Sequence, residues 1–90
     1  MPEQRFELVA DVSSDDPQAI EPVLRAVASL KVTPLTGAFH IEGTMVGQSA
    51  RDLNRALLSA LRRAERRTRI RSQWTLGDVT FRFFDYVPKS

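Results

Sequence analysis

Between Arg5 and Val12 every second residue is apolar, with Phe6, Leu8, Ala10 and Val12 on one side and Arg5, Glu7, Val9 and Asp11 on the other. Successive side chains of a strand point to opposite faces, so this pattern is a strand buried on one face and wet on the other. A sheet covered on both faces would instead ask for a continuous apolar run. The rest of the chain must therefore supply one apolar layer to cover this strand's inner face, and the outer face is left open.

Two helical segments are available for that layer. Ser13-Ser14-Asp15-Asp16-Pro17 has the residues of a turn and helix start, with Asp15 and Asp16 read as cap and dipole partners. Ile20, Val23, Leu24, Val27 and Leu30 follow at helical spacing. Pro22 would remove a backbone donor past the first turn, which sets the regular helix at Glu21 to Leu30. The second segment opens on Ser49 with Asp52 three residues later, in the manner of a capping box. Its apolar stripe is Ala50, Leu53, Leu57, Ala60, Leu61 and Ala64, and the pattern predicts a helix running to about Arg67.

The remaining segments read as strands. Val32 to Leu35 contains Pro34 and suits a sheet edge, and Thr36-Gly37 turns the chain into a longer strand from Ala38 to Val46. Arg69 to Leu76 and Val79 to Val87 flank Gly77-Asp78 as a C-terminal hairpin, with Pro88-Lys89-Ser90 expected to fray. The order is β-α-β-β-α-β-β. It predicts an α+β two-layer sandwich with two helices on one face of an antiparallel sheet. That order resembles the ferredoxin-like β-α-β-β-α-β fold with one extra C-terminal strand.

Ninety residues allow one hydrophobic core and hence one domain, residues 1–90. The chain has no cysteine, which removes disulfides, thiolate chemistry and Cys-ligated metals, and the expected setting is the cytoplasm. No stretch approaches the roughly 18 apolar residues of a membrane span, so no membrane contact is expected.

Charge is unevenly placed. Residues 1–45 carry three basic against seven acidic side chains, and residues 46–90 carry ten against four, so the halves run −4 and +6. Between Arg51 and Arg71 eight arginines face only Asp52 and Glu65. At about 100° per residue, Arg51, Arg55, Arg62 and Arg66 form a stripe opposite the apolar one, with Leu58 among them. The default reading of such a stripe is a solvated helix face; against it, like charges at i,i+4 repel by some tenths of a kcal/mol each, and the local acids are too few to cancel them. In the C-terminal hairpin Arg69 and Arg71 share the outer face, and Arg82, Phe84 and Tyr86 share the outer face of the last strand. Basic side chains interleaved with exposed aromatics supply what phosphates and bases need.

The chemistry of an enzyme is not legible. His40 stands alone, without cysteine, a second histidine or a nucleophile in context, and reads as a surface strand residue. Gly43 and Gly47 precede a helix but belong to no phosphate-loop pattern. Trp74 falls in phase with Ile70 and Leu76 and reads as core. No cofactor or metal is expected. The expected function is a small non-enzymatic binding module that uses its basic arginine-rich surface for an acidic partner, RNA or single-stranded DNA before an acidic protein. The alternative is a homodimeric interaction protein that buries its open sheet face.

Overall fold

A computed structural model of the chain describes residues 3–84. Its elements are β1 (Gln4–Ser13), α1 (Pro17–Arg25), β2 (Leu30–Leu35), β3 (Ala38–Gly47), α2 (Ala50–Ala64), β4 (Arg69–Leu76) and β5 (Val79–Phe84). The class is α+β: a five-stranded antiparallel sheet and two helices. The sheet order is β2-β3-β1-β4-β5.

β1 is the central strand, and its burial alternates residue by residue as its sequence does. Phe6, Leu8, Ala10 and Val12 join Phe39 and Ile41 of β3 and Ile70 and Trp74 of β4 on one face. Ile20 and Leu24 of α1 and Leu53, Leu57 and Leu61 of α2 close over that face as the second half of the same core. Trp74 is wholly buried, and its indole N–H donates to Asn54 Oδ1 and Ser72 Oγ at 3.1 Å each. That network ties α2 to β4 and satisfies the one polar atom the tryptophan brings inside.

Three element boundaries differ from expectation. α1 runs from Pro17 to Arg25 instead of Glu21 to Leu30. Pro17 is suited to a first helical position because its missing donor is one that no helix uses there. Pro22 is carried inside the helix, which ends one turn later; Val27 and Leu30 then turn back on the carbonyls three residues before them. The Asp16 side chain makes no cap hydrogen bond. Its backbone N–H is instead held by Ser14 Oγ at 3.1 Å, and Asp15 lies 3.6 Å from Arg67.

α2 stops at Ala64 and not near Arg67. Glu65 adopts extended backbone angles, and its carbonyl accepts from both the N–H and the hydroxyl of Thr68 at 3.2 and 2.8 Å. Its carboxylate accepts from the Arg67 N–H at 3.0 Å. The turn thus takes up groups that a continuing helix would have used. At the other end Ser49 Oγ accepts from the Asp52 N–H at 3.1 Å, the cap expected from the sequence. β2 begins at Leu30, two residues earlier than expected, and Pro34 does sit in an edge strand. Gly77 has φ +60° at the first position of the β4–β5 turn, as a type II′ hairpin requires.

β5 lies where the helix layer thins. The start of α2 borders a cavity of about 170 Å³ there, lined among others by Phe6, Ala50, Arg51, Phe81 and Phe83. Val79 and Phe81 face the helix side but remain 52% and 41% exposed. Substituting Leu57 by Ala should cost about 2 to 5 kcal/mol, as for a packed core leucine, and Arg55→Ala less than about 0.5 kcal/mol. Urea denaturation of the two variants measures both, and a mild loss at Leu57 would contradict this helix phase.

Candidate nucleic-acid interface

Register decides which side chains meet on the open face, because directly paired residues of antiparallel strands point the same way. One row across the sheet runs Thr33, His40, Asp11, Arg71 and Phe84. The next runs Lys31, Glu42, Val9, Gln73 and Arg82. Charges are therefore sorted by strand. Glu7, Asp11 and Glu42 lie on β1 and β3 in the middle of the sheet, with Arg5 the one cation of β1 on this face, whereas β4 and β5 bring Arg69, Arg71 and Arg82 to it and no acid among the described residues.

Phe84 is 59% exposed on this face, and the Arg71 guanidinium carbon lies 6.0 Å from its ring centre. At that distance the cation is attracted by the ring and held beside it. Two clefts adjoin here. One, of about 470 Å³, is lined among others by Asp11, Ser13, Ala38, Arg69 and Arg71. The other, of about 250 Å³, is lined by Val9, Asp11, Arg71, Gln73, Arg82 and Phe84. Asp11 and Arg71 belong to both.

The arginines expected as one surface fall into two groups on opposite layers. Arg51 and Arg55 are exposed on α2, away from the sheet. Arg66 is exposed but lies in the turn after α2, because the helix ends before it. Arg62 departs further from the expected stripe: it is half-buried, and its Nε donates to the Thr68 carbonyl at 3.2 Å, bracing that turn. Leu58 is also a correction. It packs partly buried against the core instead of standing among guanidinium groups, because the apolar face of α2 is wide enough to include it. Arg71, Arg82 and Phe84 line one cleft of the open face, and Arg69 shares the adjoining cleft with Arg71. Tyr86 lies outside the described residues, as do residues 85–90 as a whole.

His40 is the residue whose surroundings the sequence does not disclose. Its Nδ1 is 2.8 Å from Asp11 Oδ1 and its Nε2 3.0 Å from Glu42 Oε2. The hydrogen bond to Asp11, then that to Glu42, raises its pKa above the usual histidine value, against an opposing contribution from burial. Both ring nitrogens face acceptors, which favours the imidazolium. The Glu42 partner follows from spacing two along one strand; Asp11 is 29 residues away and needs the register. Among the described residues no group of His, Cys, Asp or Glu is arranged to hold a metal ion, and no helix is long and apolar enough to cross a membrane.

The chain matches no protein-family model, no curated protein and no solved structure. The functional reading rests on the site itself.

A histidine whose pKa rises on folding adds stability that is fully present below its unfolded value, about 6.5, and is lost as pH climbs through the folded value. The wild type should therefore lose stability relative to His40→Gln between about pH 5.5 and about pH 8.5. Urea midpoints at the two pH values measure this. Parallel behaviour of the two proteins would mean that the His40 bonds carry no linkage; the side chain is 32% exposed, so the effect is modest.

Proposed function

We propose that this chain is a non-enzymatic binding module that holds single-stranded nucleic acid, RNA or single-stranded DNA, on the β4–β5 half of its open sheet face. The observation that carries the reading is Phe84, exposed on that face with Arg71 against its ring and Arg82 lining the same cleft. An aromatic face accepts any base, and neighbouring guanidinium groups accept the phosphates on either side of it. Sorting of the acids onto β1 and β3 supports a footprint confined to this half, since phosphates would be repelled from the centre of the sheet. The arginines of α2 would act at longer range, drawing a polyanion toward the molecule without touching it in the bound state.

The fold reading that accompanies this is a ferredoxin-like β-α-β-β-α-β unit to which β5 adds a strand. Its support is the element order and the central position of β1 between β3 and β4. A cytoplasmic setting goes with it, supported by the absence of cysteine.

A second reading, a homodimer, is favoured by one observation: Val79, Phe81 and Phe84 are all exposed on β5, an edge strand. A second copy pairing along that edge would cover them. This differs from burying the open face, whose carboxylates and guanidinium groups make it a poor apolar interface.

The protein should retain mixed single-stranded RNA at about 50 mM salt and release it steeply as salt rises, because each neutralised phosphate frees condensed counterions. Changing Arg71 and Arg82 to Gln should flatten the slope of log affinity against log salt by about 0.7 for each phosphate no longer neutralised. Phe84→Ala should weaken binding by about 1 to 3 kcal/mol, with the sedimenting mass and melting temperature unchanged. No retention by the wild type contradicts the proposal, and a mass that falls toward monomer in Phe84→Ala assigns the residue to the dimer instead.

A further inference from the structure

Arg69 and Arg71 stand two residues apart on β4, so their side chains leave the sheet about 7 Å from each other on one face. A phosphate placed between them would be within reach of both guanidinium groups, and charge-assisted bonds of this kind are the strong ones. Ser13 is paired with Arg69 on one side and with the small Ala38 on the other, which opens the 470 Å³ cleft and puts a hydroxyl at its wall. The adjoining cleft offers the Phe84 ring and the Gln73 amide, a donor and an acceptor in one group. Asp11 is the carboxylate among the lining residues of both clefts.

The geometry points to a site for one nucleotide unit of a single strand, in which Arg69, Arg71 and Ser13 seat the phosphate, Phe84 stacks the base with Gln73 at its edge, and the proton on His40 opens the site by neutralising Asp11. This rests on the single-strand reading above and gives it an address and a control. With His40 protonated, Asp11 faces the imidazolium from β1 and turns a cancelled charge to the cleft. With His40 neutral, the bare carboxylate stands directly across from Arg71 and competes with the phosphate for it. The other charged groups around His40 are Glu42 on its own strand, bonded to Nε2, and Lys31 of β2, which is paired with Glu42; Thr33 of β2, directly opposite His40, carries no charge. Lys31 is paired with Glu42 and not with Asp11, and of the two acids bonded to His40 only Asp11 lines the clefts, so the proton on His40 acts there through Asp11. Because Phe84 and Gln73 read no particular base edge, the site favours no sequence.

The test is fluorescence anisotropy with a labelled oligothymidylate of about ten residues, read between about pH 5.5 and about pH 8, the window in which a histidine changes charge while the phosphodiesters and thymine bases keep theirs. Two double variants remove the same charge from the two layers: Arg69→Gln with Arg71→Gln, and Arg51→Gln with Arg55→Gln. At about 50 mM salt the first pair should lose about tenfold or more in affinity and the second far less. Wild-type affinity should fall about fourfold from the lower to the higher pH, the effect of one unit charge about 5 Å away in a water-like dielectric. Asp11→Asn should hold the low-pH affinity throughout. All the altered residues are exposed, and a melting curve for each variant confirms the fold. If the wild type binds but both pairs lose equally, the nucleotide site is wrong while the single-strand reading stands. If Asp11→Asn keeps the wild-type pH dependence, the gate is wrong. If the wild type does not bind at either pH, the single-strand reading falls and takes the site with it.

Discussion

The register of β1 against its two neighbours is the constraint on which fold and site both depend. β1 pairs along its whole length with β3 on one edge and from Glu7 to Ser13 with β4 on the other, so its alternation is imposed on the centre of the sheet. Phe6, Leu8, Ala10 and Val12 all point to the helices as a consequence. A slip of one residue would carry Glu7 and Asp11 into the core and the aromatic ring of Phe6 into water, a change that no local adjustment offsets. The same register places Asp11 between His40 and Arg71 and Gln73 beside Arg82. Stability of the inner face and chemistry of the outer face are thus two results of one alignment.

The outer face is neither uniformly basic nor apolar. Its acids are central, three of its arginines lie on the β4–β5 side with Arg5 at the far end of β1, and the single histidine bridges two of the acids. Uniform charge would attract a polyanion without orienting it, whereas this gradient would give the proposed strand one side to prefer. The position of β5 matters for the same reason. Without it Arg71 would stand on an edge strand and the ring of Phe84 would be missing, leaving cations with no stacking surface.

Much of this is readable from residue periodicity. β1, β3, α2 and the C-terminal hairpin are all legible, since each has a period of two or of about 3.6 sustained over two or more turns or pleats. Sequence reasoning places α1 too late because it treats Pro22 as a barrier; in a nine-residue helix that proline costs a single hydrogen bond, and the apolar spacing of Ile20 and Leu24 overrides it. The end of α2 escapes the pattern because the stop lies in polar side-chain bonds of Glu65 and Thr68, which carry no periodic signal. Arg62 leaves the stripe for the same reason, its partner being a backbone carbonyl that only the turn presents. On the open face, strand phase alone identifies Arg69, Arg71, Arg82 and Phe84. The His40–Asp11 bond is out of its reach, because a contact between residues 29 apart depends on which strands are neighbours and in what alignment. Asn54 has no periodic signal either, and only the polar partner that a buried tryptophan requires points to it.

The central claim is that a single strand of nucleic acid lies on the β4–β5 half of the open face and nowhere else. Amide chemical-shift mapping on the labelled protein, titrated with oligouridylate at low salt, tests this directly. The account predicts shifts at Arg69, Arg71, Gln73, Arg82 and Phe84, smaller ones at Asp11 and Ser13, and none along Arg51 to Ala60. Shifts concentrated on α2, or their absence from the whole protein at saturating strand, would contradict it.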